Sequence, residues 1–154
     1  MSLEEFDRAG PRQPSSEPAP TVGPQVVLVV EDDPIMRAVV RHQLERGGYA
    51  VAESASGREA LELLREGAIP RFLVTDLRMA DGSGGWLVGQ VGYEFPDLLT
   101  RTVVISGDAT SAAAAHVSAR WRCPVLAKPF EGQQLVDTLA QLERGTAGSD
   151  DARE

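Results

Sequence analysis

The feature that most restricts the fold is a short apolar run, Leu73-Val74-Thr75-Asp76-Leu77, with one carboxylate near its far end. Runs this short and apolar are typical of central strands in a parallel sheet, where both faces are covered and polar and apolar residues no longer alternate. Ligands of open α/β sheets bind beyond the carboxyl ends of the strands. Asp76 is therefore a candidate nucleophile or metal ligand, although an Asp at this position can equally serve as a turn or capping residue.

Four further β-prone runs alternate with helical patterns. The runs cover 26–30, 49–52, 102–105 and 124–127, and the helical patterns cover 34–46, 56–67, 83–91, 110–120 and a last helix predicted to end at Gly145. Ser56 and Glu59 form a capping box, whereas four glycines within 82–89 weaken the third helix. This alternation predicts an α/β fold with a single doubly wound five-stranded parallel sheet and five helices.

The composition, 42% apolar and 25% charged over 154 residues, indicates one soluble globular domain. Five of the ten prolines lie in the first 24 residues, which have no apolar periodicity. We therefore predict a flexible Pro-rich linker over 1–24, a folded domain over 25–145 and a disordered tail over 146–154.

Charge and cysteine content exclude several classes of function. The net charge is −8 and there is no basic stripe, so we expect no direct binding to nucleic acid. There is no apolar run of membrane-spanning length and no signal-peptide pattern, so we expect no membrane segment and a cytoplasmic location. The single cysteine, Cys123, cannot form an internal disulfide and is expected to be buried.

Polar residues of complementary type follow the predicted strands. They are Glu31, Asp32 and Asp33 after the first, Asp76 in the third, Ser106 after the fourth and Lys128 after the fifth. Parallel strands bring these residues to one edge of the sheet. Clustered carboxylates repel one another unless a cation neutralises them, and Mg²⁺ prefers such oxygen ligands. The set suits transfer of a phosphoryl group to a carboxylate, with a metal and Lys128 offsetting the charge.

Lys128 is the only lysine beside fourteen arginines. A compact, mobile point charge is useful at such a site, although a chance surface lysine is the alternative. Pro129 follows it, so this peptide bond can be cis.

Four segments in order resemble the receiver domain of two-component response regulators, over about residues 26–144. They are Val29-Val30-Glu31-Asp32-Asp33-Pro34, Val74-Thr75-Asp76-Leu77-Arg78-Met79, Val104-Ile105-Ser106-Gly107 and Lys128-Pro129-Phe130. The intervals of 44, 30 and 22 residues between Asp32, Asp76, Ser106 and Lys128 are also similar to that family's. The resemblance implies a CheY-like, flavodoxin-like fold with strand order 2-1-3-4-5.

The resemblance also implies roles for individual residues. Asp76 would accept a phosphoryl group from the phosphohistidine of a histidine kinase or phosphotransfer protein, and the domain alone would catalyse only its own phosphorylation and dephosphorylation. Ser106 would be the switch hydroxyl, and Lys128 would pair with the phosphoryl group. The implied Mg²⁺ ligands are Glu31, Asp32 rather than Asp33, Asp76 and the Arg78 backbone carbonyl.

Partner surfaces are expected on two faces. The candidate kinase-docking residues are Met36, Val39, Val40 and Phe130. The alternative is that about half of them belong to the hydrophobic core. A homodimer through 110–120 and 125–142 is a further expectation. The segment before residue 25 resembles a tether to a hybrid sensor kinase, which could be membrane-bound, and a stand-alone regulator is the alternative.

Two positions depart from the family pattern. Ala80 replaces a usual proline, which with the following glycines predicts a mobile loop. Val125 replaces the family's switch aromatic, so coupling from Ser106 to the partner face is expected to be weaker or differently built. We also predict that Arg78 and Asp108 pair across the mouth of the site and shield the acyl phosphate, the alternative being two independently solvated charges.

Two other functions compete with phosphoacceptance. A Mg²⁺-dependent phosphohydrolase of Rossmann-like type would also use a strand-end aspartate, but such enzymes commonly need an acid where Arg78 stands. A receiver-like interaction module that is never phosphorylated is the second alternative, against which the intact Asp76, Ser106 and Lys128 argue.

Overall fold

The computed structural model describes residues 21–153, with side chains up to residue 145. Five parallel strands form one sheet in the order β2-β1-β3-β4-β5. The strands are β1 (Val26–Val30), β2 (Ala50–Ser54), β3 (Phe72–Asp76), β4 (Thr102–Ser106) and β5 (Val125–Ala127). The helices are α1 (Pro34–Arg46), α2 (Gly57–Arg65), α3 (Gly84–Glu94), α4 (Pro96–Leu99), α5 (Ala112–Trp121) and α6 (Gly132–Arg153). The predicted doubly wound α/β fold and strand order are confirmed.

The three central strands are buried along their whole length, as their continuous apolar runs predict. Alternate side chains of β1 point to opposite faces of the sheet. Leu28 and Val30 pack on the side covered by α2 and α3, and Val27 and Val29 on the side covered by α1 and α6. The sheet therefore has a hydrophobic core on both faces, and the loops that follow the strands lie at its carboxyl edge.

Side-chain caps fix where the helices begin. The Asp33 carboxylate accepts a hydrogen bond from the Ile35 N–H (2.9 Å), and Pro34 is the first residue of α1. Ser56 caps α2 by accepting from the Glu59 N–H (3.0 Å), which confirms half of the predicted capping box. The Glu59 carboxylate accepts from the Ala55 N–H (3.0 Å) rather than from Ser56.

The main differences from the predictions concern the helices. The short helix α4 is a sixth helix, and α3 extends to Glu94 although it is rich in glycine. The prediction that the last helix ends at Gly145 is wrong, because α6 continues to Arg153. One glycine costs a helix only about 1 kcal/mol and no proline follows it, so it does not stop the helix.

The predicted linker over 1–24 lies mostly outside the described residues. Within the described residues of this segment, Val22 is partly buried and packs against the core beneath α2 and α3, so this end of the segment belongs to the folded domain. Cys123 is buried, as predicted. Within the described part of the chain, no helix is both long enough and apolar enough to cross a bilayer.

Candidate functional site

The carboxyl edge of the sheet brings the predicted site residues together. Asp76 is the last residue of β3, Ser106 is the last residue of β4, and Glu31 directly follows β1; all three are buried. Lys128 directly follows β5 and is anchored by its backbone N–H, which donates to the Ser106 carbonyl (2.8 Å). The Lys128–Pro129 peptide bond is cis.

Three carboxylates form an acidic cluster at this edge. Oxygen atoms of Glu31, Asp32 and Asp76 all lie within 4.8 Å of one another. Asp33 does not take part, because its side chain caps α1. Asp32 is exposed while the other two acids are buried, so the cluster opens to solvent on one side. This all-oxygen donor set with an open side fits Mg²⁺, which typically keeps several waters and takes one or two protein carboxylates.

Lys128 is the cation that the protein itself supplies. Its Nζ lies 3.3 Å from Glu31 Oε1 and 3.3 Å from Asp76 Oδ1. Burial disfavours the charged ammonium, but attraction to Asp76 and Glu31 outweighs it and raises the pKa of Lys128. The only lysine of the sequence therefore stays charged between two site carboxylates.

Glu31 is the acid of this cluster that is hardest to ionise, chiefly because it is buried. Burial raises the pKa of Glu31, and repulsion from Asp76 adds to this, although a hydrogen bond from the Asp33 N–H (3.2 Å) and the charge of Lys128 act in the opposite direction. A carboxyl group that resists ionisation despite a lysine beside it indicates that a further cation would stabilise the site.

The Ser106 hydroxyl is buried and already used as an acceptor. Its Oγ accepts a hydrogen bond from the Asp108 N–H (3.0 Å), which leaves its own proton available to donate. The Asp108 carboxylate does not form the predicted direct pair with Arg78. It accepts from the Thr110 hydroxyl (2.6 Å) and N–H (3.1 Å), and these bonds lower the pKa of Asp108, with the charge of Arg78 as a weaker contribution.

Gly84 allows a close approach of the chain after Asp76, a role that the prediction of a mobile loop did not include. A Cβ on Gly84 would lie 2.0 Å from the Asp76 carbonyl oxygen, so only glycine allows the chain to pass there. The Gly84 N–H donates to the Leu77 carbonyl (2.9 Å), and the Ala80 N–H to Asp32 Oδ2 (3.4 Å). The loop is thus held at several points even though Ala80 is not proline.

The predicted docking residues do not share one surface. Val40 is 1% exposed and packs in the core, so its assignment to a docking surface is wrong. Met36 precedes Val40 by one helical turn, and it packs partly buried against the same cluster, as does Phe130. Val39 is 43% exposed, and Ile35, which the prediction omitted, is 76% exposed. Ile35 and Val39 are four residues apart and therefore lie on one side of α1, next to the row formed by Met36 and Val40. This spacing is the sequence pattern that indicates the exposed apolar face.

Arg37 is a further residue at the site's border. Its guanidinium donates to the Glu31 backbone carbonyl (2.7 Å) and to Glu53 Oε1 (3.0 Å). It therefore ties the loop that carries the acidic pair to the end of β2.

A family model described as the response regulator receiver domain matches residues 27–140. The chain belongs to this family. Sensor kinase CckA of Brucella abortus (strain 2308) is 34% identical over 78% of this chain, but the match covers 13% of that protein. An uncharacterized 14.6 kDa protein of Leptolyngbya boryana is 39% identical over 79% of this chain and 92% of its own length.

Solved structures agree with this assignment. The response regulator receiver protein of Sinorhizobium medicae WSM419 superposes with a TM-score of 0.66 at 27% identity, covering 76% of this chain and 92% of that one. The chain is thus a receiver domain of two-component signalling, whose relatives include both a sensor kinase and response regulators. The resemblance drawn from the sequence is confirmed.

Proposed function

We propose that this receiver domain accepts a phosphoryl group on Asp76 from the phosphohistidine of a histidine kinase or phosphotransfer protein. The observation that carries the proposal is the grouping of the Glu31, Asp32 and Asp76 carboxylates within 4.8 Å, with Lys128 Nζ at 3.3 Å from two of them. These three acids, with the Arg78 backbone carbonyl, would hold Mg²⁺. When bound, the ion offsets the negative charge of the incoming phosphoryl group.

The chain's own residues have defined parts in this transfer. An Asp76 carboxylate oxygen attacks phosphorus while the P–N bond to the donor imidazole breaks, and the electron pair leaves with the imidazole nitrogen. Lys128 pairs with a phosphoryl oxygen, since its ammonium already reaches Asp76 Oδ1. The Ser106 hydroxyl donates its free proton to another phosphoryl oxygen while its Oγ continues to accept from the Asp108 N–H.

The kinase would approach along the exposed side of α1. Ile35 and Val39 form an apolar pair beside the loop that carries Glu31 and Asp32. Exposed apolar pairs on helices are suited to contact with a partner helix. This face replaces the predicted set that included Val40. The homodimer predicted through 110–120 and 125–142, now α5, β5 and the first half of α6, stays a prediction.

Phosphodonor labelling tests the proposal. Acetyl phosphate with Mg²⁺ should add one phosphoryl group to the intact protein, as measured by mass spectrometry, and Asp76→Asn should abolish the addition. Asp97→Asn is the matched control, because Asp97 is exposed in α4, away from the acidic cluster. A folded protein that gains no phosphoryl group would support the non-phosphorylated interaction module. Turnover of a generic phosphate ester would instead support the phosphohydrolase.

A further inference from the structure

The loop after Asp76 rests on the first turn of α2 through a contact that only glycines permit. A Cβ on Gly57 would lie 2.0 Å from the Gly82 carbonyl oxygen, and a Cβ on Gly82 would lie 2.5 Å from the Arg58 nitrogen. Gly82 also has φ +76°, which side chains rarely adopt. Two chain segments 25 positions apart therefore touch backbone to backbone.

Arg58 adds side-chain contacts at the same place. Its Nε lies 2.9 Å from Asp81 Oδ1, its backbone N–H donates to the Asp81 carbonyl (3.4 Å), and its guanidinium lies 5.4 Å from the centre of the Trp86 ring. The ion pair is weak by itself, since both side chains are more than 60% exposed. Arg58 nevertheless joins α2 to the loop through Asp81 and to the first turn of α3 through Trp86.

The other side of this loop faces the acidic cluster. The Ala80 N–H donates to Asp32 Oδ2 (3.4 Å), and the Leu77 N–H donates to the Ile105 carbonyl (2.8 Å). The loop thus lies between Asp32 on one side and the Gly57 contact on the other. Arg78, whose carbonyl is the proposed fourth protein ligand, lies in the same segment.

We propose that the Gly57–Gly82 contact, with the Arg58 contacts to Asp81 and Trp86, forms a loop clamp that positions residues 78–82 for Mg²⁺ binding. The inference rests on the proposed function for its metal. The clamp residues are not among the proposed Mg²⁺ ligands or the residues proposed to contact the phosphoryl group, so they are positioning residues. The clamp holds the loop on the side that faces away from Asp32.

Gly57→Ala is the direct test. Alanine favours the helix more than glycine does, but its Cβ must push the Gly82 carbonyl away. We expect a rise in the Mg²⁺ dissociation constant of about tenfold or more by calorimetry, as is typical when groups that orient metal ligands are lost. Hydrogen exchange of amides 78–82 should also become faster in the metal-free protein.

Gly85→Ala is the matched control. A Cβ there would lie 3.8 Å from Leu77 Cδ1, an ordinary contact, and Gly85 belongs to the first turn of α3 beside the same loop. Its Mg²⁺ affinity should stay within about twofold of wild type, as for most substitutions that meet no special feature. Equal effects of Gly57→Ala and Gly85→Ala on affinity would overturn the clamp.

If Gly57→Ala fails to fold, charge reversal at Arg58 and Asp81 still tests the clamp. Arg58→Glu should weaken Mg²⁺ binding by about two- to fivefold, because it removes an exposed ion pair and a cation–π contact. Adding Asp81→Arg should restore the part of the loss that the ion pair accounts for. An affinity unchanged by Arg58→Glu, or a loss that Asp81→Arg does not restore, would contradict the clamp.

The clamp and the proposed function fail in different ways. If the wild-type protein binds no Mg²⁺, the proposed function is wrong, and hydrogen exchange in metal-free protein still tests the clamp. If the wild type binds Mg²⁺ and Gly57→Ala matches it in both affinity and exchange, the clamp alone is wrong.

Discussion

Replacing Lys128 by methionine should destabilise the protein at least twice as much without Mg²⁺ as with it. The ammonium lies 3.3 Å from both Glu31 and Asp76, and the side chains of these acids are only 5% and 10% exposed. Methionine keeps much of the stem and removes the charge. The two carboxylates would then face each other in a poorly hydrated pocket with no protein cation between them.

The expected magnitude follows from the geometry. At 3.3 Å and an effective dielectric constant of about 20, each contact is worth about 5 kcal/mol before desolvation. Desolvation of the lysine offsets most of this, and removing one partner of a buried pair typically costs about 3–5 kcal/mol. Because Lys128 is 22% exposed, some water reaches the pair. We therefore expect a loss of about 2–4 kcal/mol in the free energy of unfolding.

Urea unfolding, followed by circular dichroism with EDTA or with Mg²⁺, measures this loss. Mg²⁺ at about 100 times its dissociation constant adds about 2.7 kcal/mol to wild-type stability. The variant should gain more, because the ion no longer competes with the ammonium for the same carboxylates. The difference between Lys128→Met and wild type should therefore fall by at least half in Mg²⁺.

Arg41→Met provides the control. Arg41 is 41% exposed and pairs with Glu53 at 3.2 Å, so its loss should cost about 1 kcal/mol or less and should not depend on Mg²⁺. If Lys128→Met loses the same stability with and without Mg²⁺, the lysine and the metal do not act on the same carboxylates, and the electrostatic reasoning is wrong.

Three other outcomes are expected. A hydrogen bond from the Ala55 N–H, just before α2, lowers the pKa of Glu59 below its ordinary value of 4.5. The stability that this carboxylate contributes is therefore present at neutral pH and is lost as the pH falls from 4.5 through the lowered pKa. Glu59→Gln should lose less stability than wild type over that pH range in acid titrations. Gly92→Ala places a Cβ 2.3 Å from the Trp121 ring and should cost about 1–3 kcal/mol in urea unfolding, whereas Gly89→Ala, at 3.8 Å, should be neutral or stabilising. Burial raises the pKa of Cys123 to about 12, so a thiol reagent at about pH 8 should react only as the protein unfolds, and fast labelling of folded protein would contradict this.

The strands could be predicted because burial on both faces leaves a local signature, whereas their order followed from the resemblance to the receiver family. β1 and β4 are continuous apolar runs bounded by turn residues, and the structure places both in the middle of the sheet. α3 was harder, since its glycines argue against a helix when taken locally. Ser83 caps it, and Leu87 and Val91 are fully buried against the sheet, so tertiary packing outweighs the weak propensity.

The acidic cluster could also be predicted, since parallel strands necessarily bring their carboxyl ends to one edge. What could not be predicted depends on rotation about a helix or on contacts between distant segments. Val40 and Val39 are adjacent in sequence, yet one is core and the other exposed, because successive helical residues differ by about 100°. The Gly57–Gly82 contact has no local signal, since each glycine alone resembles an ordinary turn or helix start.

The formal charge of the site shows why one lysine is insufficient to neutralise it. With all groups ionised, three carboxylates face one ammonium, which leaves a formal charge of minus two in the cluster. Lys128 lies between the two buried acids, and Asp32 stands at the open side. A divalent cation bound beside Asp32 would bring the formal charge to zero. An incoming phosphoryl group would then meet a neutral pocket, and Asp76 could attack phosphorus without first overcoming the repulsion of its neighbours.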